Sequence, residues 1–211
     1  MMKLLLVRHG QTALNVERRY QGQIDVPLDA VGLAQAAQLA TRLQNETIDR
    51  VIASDLTRAM QTAETIVAPH GLTVEPDARL REMAFGAWEG LSFAEIQTHW
   101  PVQVATWLND PLNIAPPGGE TGEQVSARVR SFVNDLLRTE NGQTVLIVSH
   151  GGPLRVWLCL ALGLPPQDHW RFNLAPASLS RLAVYDGQAI LMALNDIHHC
   201  EGMRTEDLWA I

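Results

Sequence analysis

Cysteine is almost absent from the 211 residues; only Cys159 and Cys200 occur. Two cysteines in a chain of this length do not make a disulfide framework, so a reduced, cytoplasmic setting is expected. Lysine is scarcer still. Lys3 is the only one, and nearly every cationic side chain is arginine. Arginine suits bidentate contacts to phosphate or carboxylate, although a GC-biased genome explains the bias more simply. Long apolar runs are also lacking. The run ending at Val7 is too short for a signal-peptide core, and the best stretch, Val156 to Gly163, falls far below membrane-spanning length. A formal charge of -7 argues against a nucleic-acid or anionic-membrane partner. Any anionic substrate must then be drawn by a local group of arginines. There is no Walker or dinucleotide glycine loop, no His-x-x-x-His pair and no cluster of carboxylates. Neither a nucleotide cofactor nor a metal is therefore implied. The run His198-His199-Cys200 is the nearest approach to a metal cluster, but adjacent histidines on an extended tail point in different directions.

What the chain does have is an apolar content of 46%, enough for one core in one domain. Leu4 to Val7, Arg50 to Ser54, Leu72 to Glu75 and Thr144 to Val148 read as short strands. Helices alternate with them. One is capped by Asp29, with Val31, Ala34, Ala37 and Leu43 recurring at helical spacing. Another runs from Leu56 to about Ala68, capped by Asp55 and closed by His70-Gly71. A third starts at the capping-box pair Thr121 and Gln124, with Val125, Val129, Phe132, Val133, Leu136 and Leu137 on one face. A fourth spans Gly152 to Gly163. Ser178 to Tyr185 and Ala189 to Leu194, joined at Asp186-Gly187, read as a closing hairpin. This rhythm predicts an α/β fold: a three-layer, doubly wound, mostly parallel sheet with an antiparallel edge strand. The rhythm breaks over residues 79–120, where tryptophans and prolines gather and Ser92 and Glu95 cap a short helix. That stretch is expected to be a small helical cap-like insertion in a single domain covering residues 1–211. The tail beyond the hairpin has no clear pattern.

The chemistry sits at strand ends. The first strand ends in Arg8-His9-Gly10-Gln11-Thr12, with Asn15 a few residues on. The Thr144–Val148 strand ends in Ser149-His150-Gly151-Gly152. In open α/β sheets the carboxyl ends of strands are where ligands bind, so His9 and His150 are expected to meet in one pocket. Arg58, in the first turn of its helix, and Arg81-Glu82 follow the other strands. Two arginines with N–H groups at a helix N-terminus make a site for a tetrahedral dianion. A neutral imidazole there can attack phosphorus, and a nearby carboxyl can protonate the leaving oxygen. Taken singly, each of these residues has a bland reading as a hydrogen-bonded or solvated side chain. The argument rests on two histidines in the same context, with arginine and glycine beside them.

In this order and spacing the motifs resemble the histidine phosphatase superfamily, in its phosphoglycerate-mutase-like branch. The resemblance is carried by Arg-His-Gly-Gln-Thr with Asn15, by Gln21 to Leu28, by Ser54 to Ala63, by Arg81-Glu82-Met83 with Phe85-Gly86 and Trp88-Glu89-Gly90, and by Ser149 to Gly152. It implies that His9 is the phosphorylated nucleophile and Glu82 the proton donor. Arg8, Arg58 and His150 would hold the phosphoryl oxygens, with Asn15, Gln21, Gly22 and the Gly151 backbone completing the pocket. It also implies that no metal or other cofactor is needed. Gln11 stands where relatives more often carry glutamate.

The implied partner is a small phosphorylated metabolite. The mutase pattern Gly-Leu-Asn-Lys after the acid is absent, and Phe85 to Ser92 stands in its place. The basic residue expected to hold a second anionic group is missing there, which favours hydrolysis of a monophosphate over mutase or sugar bisphosphatase activity. The pattern is closest to alpha-ribazole phosphatases, which would place the reaction in cobalamin biosynthesis, and to broad-specificity phosphatases. Glu120, in Pro116 to Thr121, is expected either at the substrate mouth or as a helix cap. A non-catalytic phosphate-binding relative is the third reading. Nothing in the sequence fixes an oligomeric state.

Overall fold

A computed structural model of the protein describes residues 1–139 and 142–202. Its centre is a six-stranded sheet: β1 (Met2–Arg8), β2 (Arg50–Ala53), β3 (Glu75–Pro76), β4 (Thr144–Ser149), β5 (Leu179–Tyr185) and β6 (Gln188–Asp196). The spatial order is β3-β2-β4-β1-β5-β6. β4 is buried at every position and β1 at five of seven, as near-continuous apolar strands must be when helices cover both faces. β1, β2, β3 and β4 are mutually parallel, while β5 is antiparallel to both β1 and β6. The edge strand β6 thus pairs antiparallel, as expected, and β5, second from the edge, runs against the strands on either side of it. Asp186 and Gly187 both take positive φ, +47° and +79°, the backbone that a two-residue hairpin turn requires.

On one face lie α6 (Gly122–Thr139) and α7 (Gly151–Ala161), over Leu4, Leu6, Val145 and Ile147. On the other lie α2 (Ala30–Leu43) and α3 (Thr57–Val67), over Leu5, Val7, Val51 and Val148. Side chains alternate across each strand, so neighbouring residues of β1 feed the two cores in turn. The Thr121–Gln124 capping box forms, and Val125, Val129, Phe132 and Leu136 are buried along α6. The four-residue α1 (Ala13–Val16) follows β1.

Three local expectations are corrected. Asp29 does cap α2, but the buried face is Gly32, Gln35, Ala36, Leu39, Ala40 and Leu43, while Ala34 and Ala37 face solvent. Small alanines fit either side of a helix, so their spacing misplaced the stripe. Asp55 does not cap α3; its carboxylate is taken by Arg81, at 2.7 and 2.6 Å. The strand expected over Leu72 to Glu75 is reduced to Glu75–Pro76.

Residues 79–120 contain α4 (Phe93–His99) and α5 (Pro101–Asn109). Trp88, Ile96 and Val104 form a separate small apolar cluster there, with Trp88 and Trp107 edge to face at 5.4 Å. The Ser92–Glu95 capping box is present in both directions. His198 to Cys200 form a 3₁₀ turn rather than an extended tail: His198 pairs with Glu201, His199 with Arg42 and the Ala177 carbonyl, and Cys200 is buried. The remainder of the patternless tail, residues 203–211, lies outside the described residues. No helix among the described residues is long and apolar enough to cross a membrane.

Candidate active site

β1 and β4 are neighbours in register, with Arg8 opposite Ser149. The next residues of the two strands are His9 and His150, which leave the sheet side by side with ring centroids 5.0 Å apart. Both rings are buried. His9 Nδ1 lies 2.7 Å from the Gly10 carbonyl oxygen. A carbonyl can only accept, so Nδ1 carries the proton and Nε2 carries the free lone pair. Gly10 is held in turn by its N–H donating to Thr62 Oγ1, and Thr62 donates to the Arg58 carbonyl. Burial first, then Arg58 and then Arg8, hold the His9 imidazole well below its usual value of 6.5.

Arg58 is fully buried. Its Nη1 donates to the Ile24 carbonyl and its Nη2 to the Gly22 carbonyl, at 2.8 and 2.7 Å. Its Nε donates to His150 Nδ1, 3.2 Å away, which leaves the His150 proton on Nε2, donating to Ser54 Oγ at 2.8 Å. Burial, then Arg58, keep His150 neutral by lowering its affinity for a proton. Gly22 therefore acts by aiming a carbonyl at Arg58. It takes φ +51°, and a Cβ there would meet Glu89 Oε1 at 2.0 Å. Asn15 and Gln21 meet through Thr12, whose N–H and hydroxyl lie 3.1 Å from Asn15 Oδ1 and whose hydroxyl lies 2.9 Å from Gln21 Oε1. With their oxygens taken, both side chains have NH₂ groups to offer.

Glu82 approaches from the loop between β3 and α4. Its Oε1 accepts from Met83 N–H at 2.9 Å and its Oε2 from Gly152 N–H at 3.2 Å. A Cβ on Gly152 would stand 2.2 Å from Oε1, so the absence of a side chain lets the carboxyl dock on the first turn of α7. The Gly151 N–H, at the helix start, has no intrahelical acceptor. Glu120 is not the helix cap, a place taken by Thr121 with Gln124. It pairs with Arg128 at 3.0 Å and accepts from Ala84 N–H, and Arg128 Nη2 also reaches the Glu82 carbonyl, so the pair anchors the acidic loop. Arg81, paired with Asp55, ties the same loop to the end of β2.

Gln11 has a structural explanation. Its Nε2 donates to Asp29 Oδ2 while Asp29 Oδ1 caps α2. A glutamate there would set a second carboxylate against the first. Sequence reasoning passed over Ser54 and Thr62 as site builders, though both lie in the quoted Ser54–Ala63 motif. It also missed Arg155. Arg155 is partly buried on α7 and makes no hydrogen bond or ion pair among the described residues. Its Nε, like that of Arg8, is out of solvent and without an acceptor. Leaving such a donor unsatisfied costs about 1–3 kcal/mol. Burial, then Arg155, lower Arg8 to about 10, although Arg8 Nη1 finds the Leu174 carbonyl at 2.5 Å. The site is thus a concentration of desolvated cations with Glu82 as their near anion, an arrangement suited to a multiply charged oxyanion.

Residues 4–197 match the family model of the histidine phosphatase superfamily, branch 1. Phosphoserine phosphatase 1 of Hydrogenobacter thermophilus is 33% identical over 94% of this chain and 94% of its own length. The adenosylcobalamin/alpha-ribazole phosphatase of Escherichia coli K12 is 32% identical over 92% and 96%. The crystal structure of the alpha-ribazole phosphatase from Shigella flexneri superposes with a TM-score of 0.88 at 33% identity, covering 93% of this chain and 97% of that one.

Proposed function

The chain belongs to branch 1 of the histidine phosphatase superfamily and is a phosphomonoesterase, and from that premise we propose that it hydrolyses a small phosphorylated metabolite through a phosphohistidine on His9. The observation that carries this reading is the His9 tautomer. With Nδ1–H donated to Gly10, a lone pair on Nε2 stands in a dry, cationic pocket. Nε2 attacks phosphorus, so an N–P bond forms as the P–O bond to the alcohol breaks. Glu82 gives its proton to the departing oxygen. Arg8 and Arg58 hold the charge spread over the equatorial oxygens, which is most of what such a transition state needs. The Gly151 N–H and the amides of Asn15 and Gln21 add neutral donors, with His150 beside them. Water then attacks phosphorus, Glu82 takes its proton, the N–P bond breaks, and inorganic phosphate leaves. None of these steps calls on a metal.

Residues 79–120 serve, in this reading, as a cap within the single domain. Its support is a separate apolar cluster together with ties from Arg19 to Glu95 and from the Gln23 N–H to Glu89. Alpha-ribazole 5′-phosphate is the first substrate to try, on the motif pattern and on the names of the E. coli and Shigella relatives. The chemistry is tested by mixing the enzyme rapidly with ³²P-labelled substrate and quenching in base. Labelled protein that loses phosphate in acid is expected from the wild type and none from His9→Ala, whose turnover of p-nitrophenyl phosphate should drop about 10³-fold or more. A His9→Ala protein with wild-type turnover sinks the assignment.

A further inference from the structure

Behind His9 runs a largely buried segment, Leu174 to Ser178, on the way into β5. The Ala177 N–H donates to the His9 carbonyl at 3.0 Å, the Ser178 carbonyl accepts from the Arg8 N–H at 3.3 Å, and the Leu174 carbonyl accepts from Arg8 Nη1. The first of these bonds bears on the nucleophile. The peptide between His9 and Gly10 is held at both ends, its carbonyl by Ala177 and its N–H by Thr62 Oγ1. The next carbonyl along, that of Gly10, is the one that fixes the His9 tautomer. The Ala177 N–H is aimed by a φ of +56°, a backbone that a β-carbon disfavours. Such a conformation persists only where its surroundings impose it.

One group that imposes it is His199, in the 3₁₀ turn after β6. Its Nε2–H donates to the Ala177 carbonyl at 3.0 Å, and its Nδ1 accepts from Arg42 Nη1 at 3.2 Å. A carbonyl can only accept and a guanidinium can only donate, so both ring nitrogens are assigned. Arg42, on α2, is anchored in turn by Asp196 at the end of β6, whose other oxygen accepts from the His198 N–H. Asn195 holds the far end of the segment, its Oδ1 accepting from the Ala175 N–H at 2.7 Å. Burial, then Arg42, lower the proton affinity of His199, so the ring is neutral at neutral pH, as this arrangement needs.

Resting on the reaction proposed above, with His9 as nucleophile, we propose that His199 is a positioning residue. It locks Ala177 in its left-handed backbone and so keeps the His9–Gly10 peptide, and with it the His9 ring, in line for attack. It touches neither substrate nor the reacting atoms. Arg8 and Arg58, which hold the phosphoryl group, have anchors of their own on the Leu174, Ile24 and Gly22 carbonyls. A loosened Ala177 should therefore slow attack by His9 more than it weakens oxyanion binding.

Three substitutions separate the donated N–H from the shape of the ring. His199→Phe keeps a ring but donates nothing. His199→Gln keeps an N–H near the place of Nε2, and His199→Asn carries the same amide one methylene short of Ala177. The rate of His9 phosphorylation is read by rapid mixing with ³²P-labelled p-nitrophenyl phosphate and quenching in base, and oxyanion binding by the Ki of inorganic phosphate. His199→Phe and His199→Asn are expected to slow phosphorylation by about 10- to 100-fold, as a displacement of about 1 Å does, with the phosphate Ki little changed. His199→Gln should recover most of the rate. The two amide variants carry the comparison if the Phe variant does not fold. A wild-type rate in the Phe and Asn variants overturns the proposal. So does a Gln variant as slow as the Asn one, which removes the donated N–H as the cause. Phosphorylation rate and phosphate affinity that fall together with Tm also overturn it, because they mark a merely structural histidine. Absence of labelled protein from the wild type would overturn the His9 reaction itself, whereas a labelled wild type with unaffected variants overturns the His199 assignment alone.

Discussion

At the scale of single residues, His9 and His150 make a claim about pH. Both rings are held neutral, by burial first and by Arg58 next, so each folded-state affinity for a proton lies well below the usual 6.5. Between that lower value and 6.5 the unfolded chain binds protons that the folded one does not. Stability is therefore complete above pH 6.5 and falls as pH drops, by up to about 1.4 kcal/mol per pH unit for each imidazole. The same depression keeps the His9 lone pair available. The kcat/KM for p-nitrophenyl phosphate is thus expected to run level through pH 6.5 while Tm declines below it. A pH–rate limb centred at 6.5, with a Tm indifferent to pH between 7.5 and 5, would show that the pocket is wet. These two histidines were legible in the sequence because each follows an apolar run and precedes glycine. Gln11 and Arg155 were not. The partner of Gln11 is the cap of a helix 18 residues away, and a lone arginine on a helix looks like a solvated one until Glu82 is brought beside it.

At the scale of elements, α7 separates stability from catalysis. Its first turn carries Gly151 and Gly152, and glycine in a helix costs about 1 kcal/mol against alanine. Gly152→Ala should therefore leave the fold as stable as before, or slightly more so. Its new Cβ, however, would lie 2.2 Å from Glu82 Oε1 and must push the carboxyl out of its seat. Turnover of p-nitrophenyl phosphate is expected to fall about 10²-fold or more, as loss of a positioned acid does, with Tm by differential scanning calorimetry not lowered. Full activity in that variant would mean that the acid works from elsewhere. Elements were easy to read where local chemistry sets them. The two capping boxes and the Asp186-Gly187 turn are examples. They were misread where a distant partner decides. Asp55 has the spacing of a cap but is held by Arg81, and the α2 stripe was shifted by alanines that read alike on either face.

At the scale of the whole molecule, the strand order does what no single motif can. β4 inserts between β1 and β2, and this alone places the ends of two strands 141 positions apart (Ser149 against Arg8) next to each other. Alternating strands and helices predicted the parallel sheet, but which strands are neighbours depends on long-range pairing that leaves no local mark. The same topology gathers Arg8, Arg58 and Arg155 in a protein whose formal charge is -7. Burial lowers the proton affinity of all three, and at Arg8 the neighbouring arginines add repulsion, so the folded state holds a strained set of desolvated cations. An oxyanion that enters the pocket relieves it and binds only the folded chain. Inorganic phosphate at about 100 times its Kd should then add about 2.7 kcal/mol, a rise in Tm of about 5–10 °C for a chain of this size. Chloride at equal ionic strength screens the repulsion but cannot bridge the guanidinium groups, so its shift should be much smaller. Equal shifts in the two salts would reduce the cation cluster to general electrostatics. A shift confined to phosphate ties the stability of the whole sheet to the occupancy of the pocket at the ends of β1 and β4.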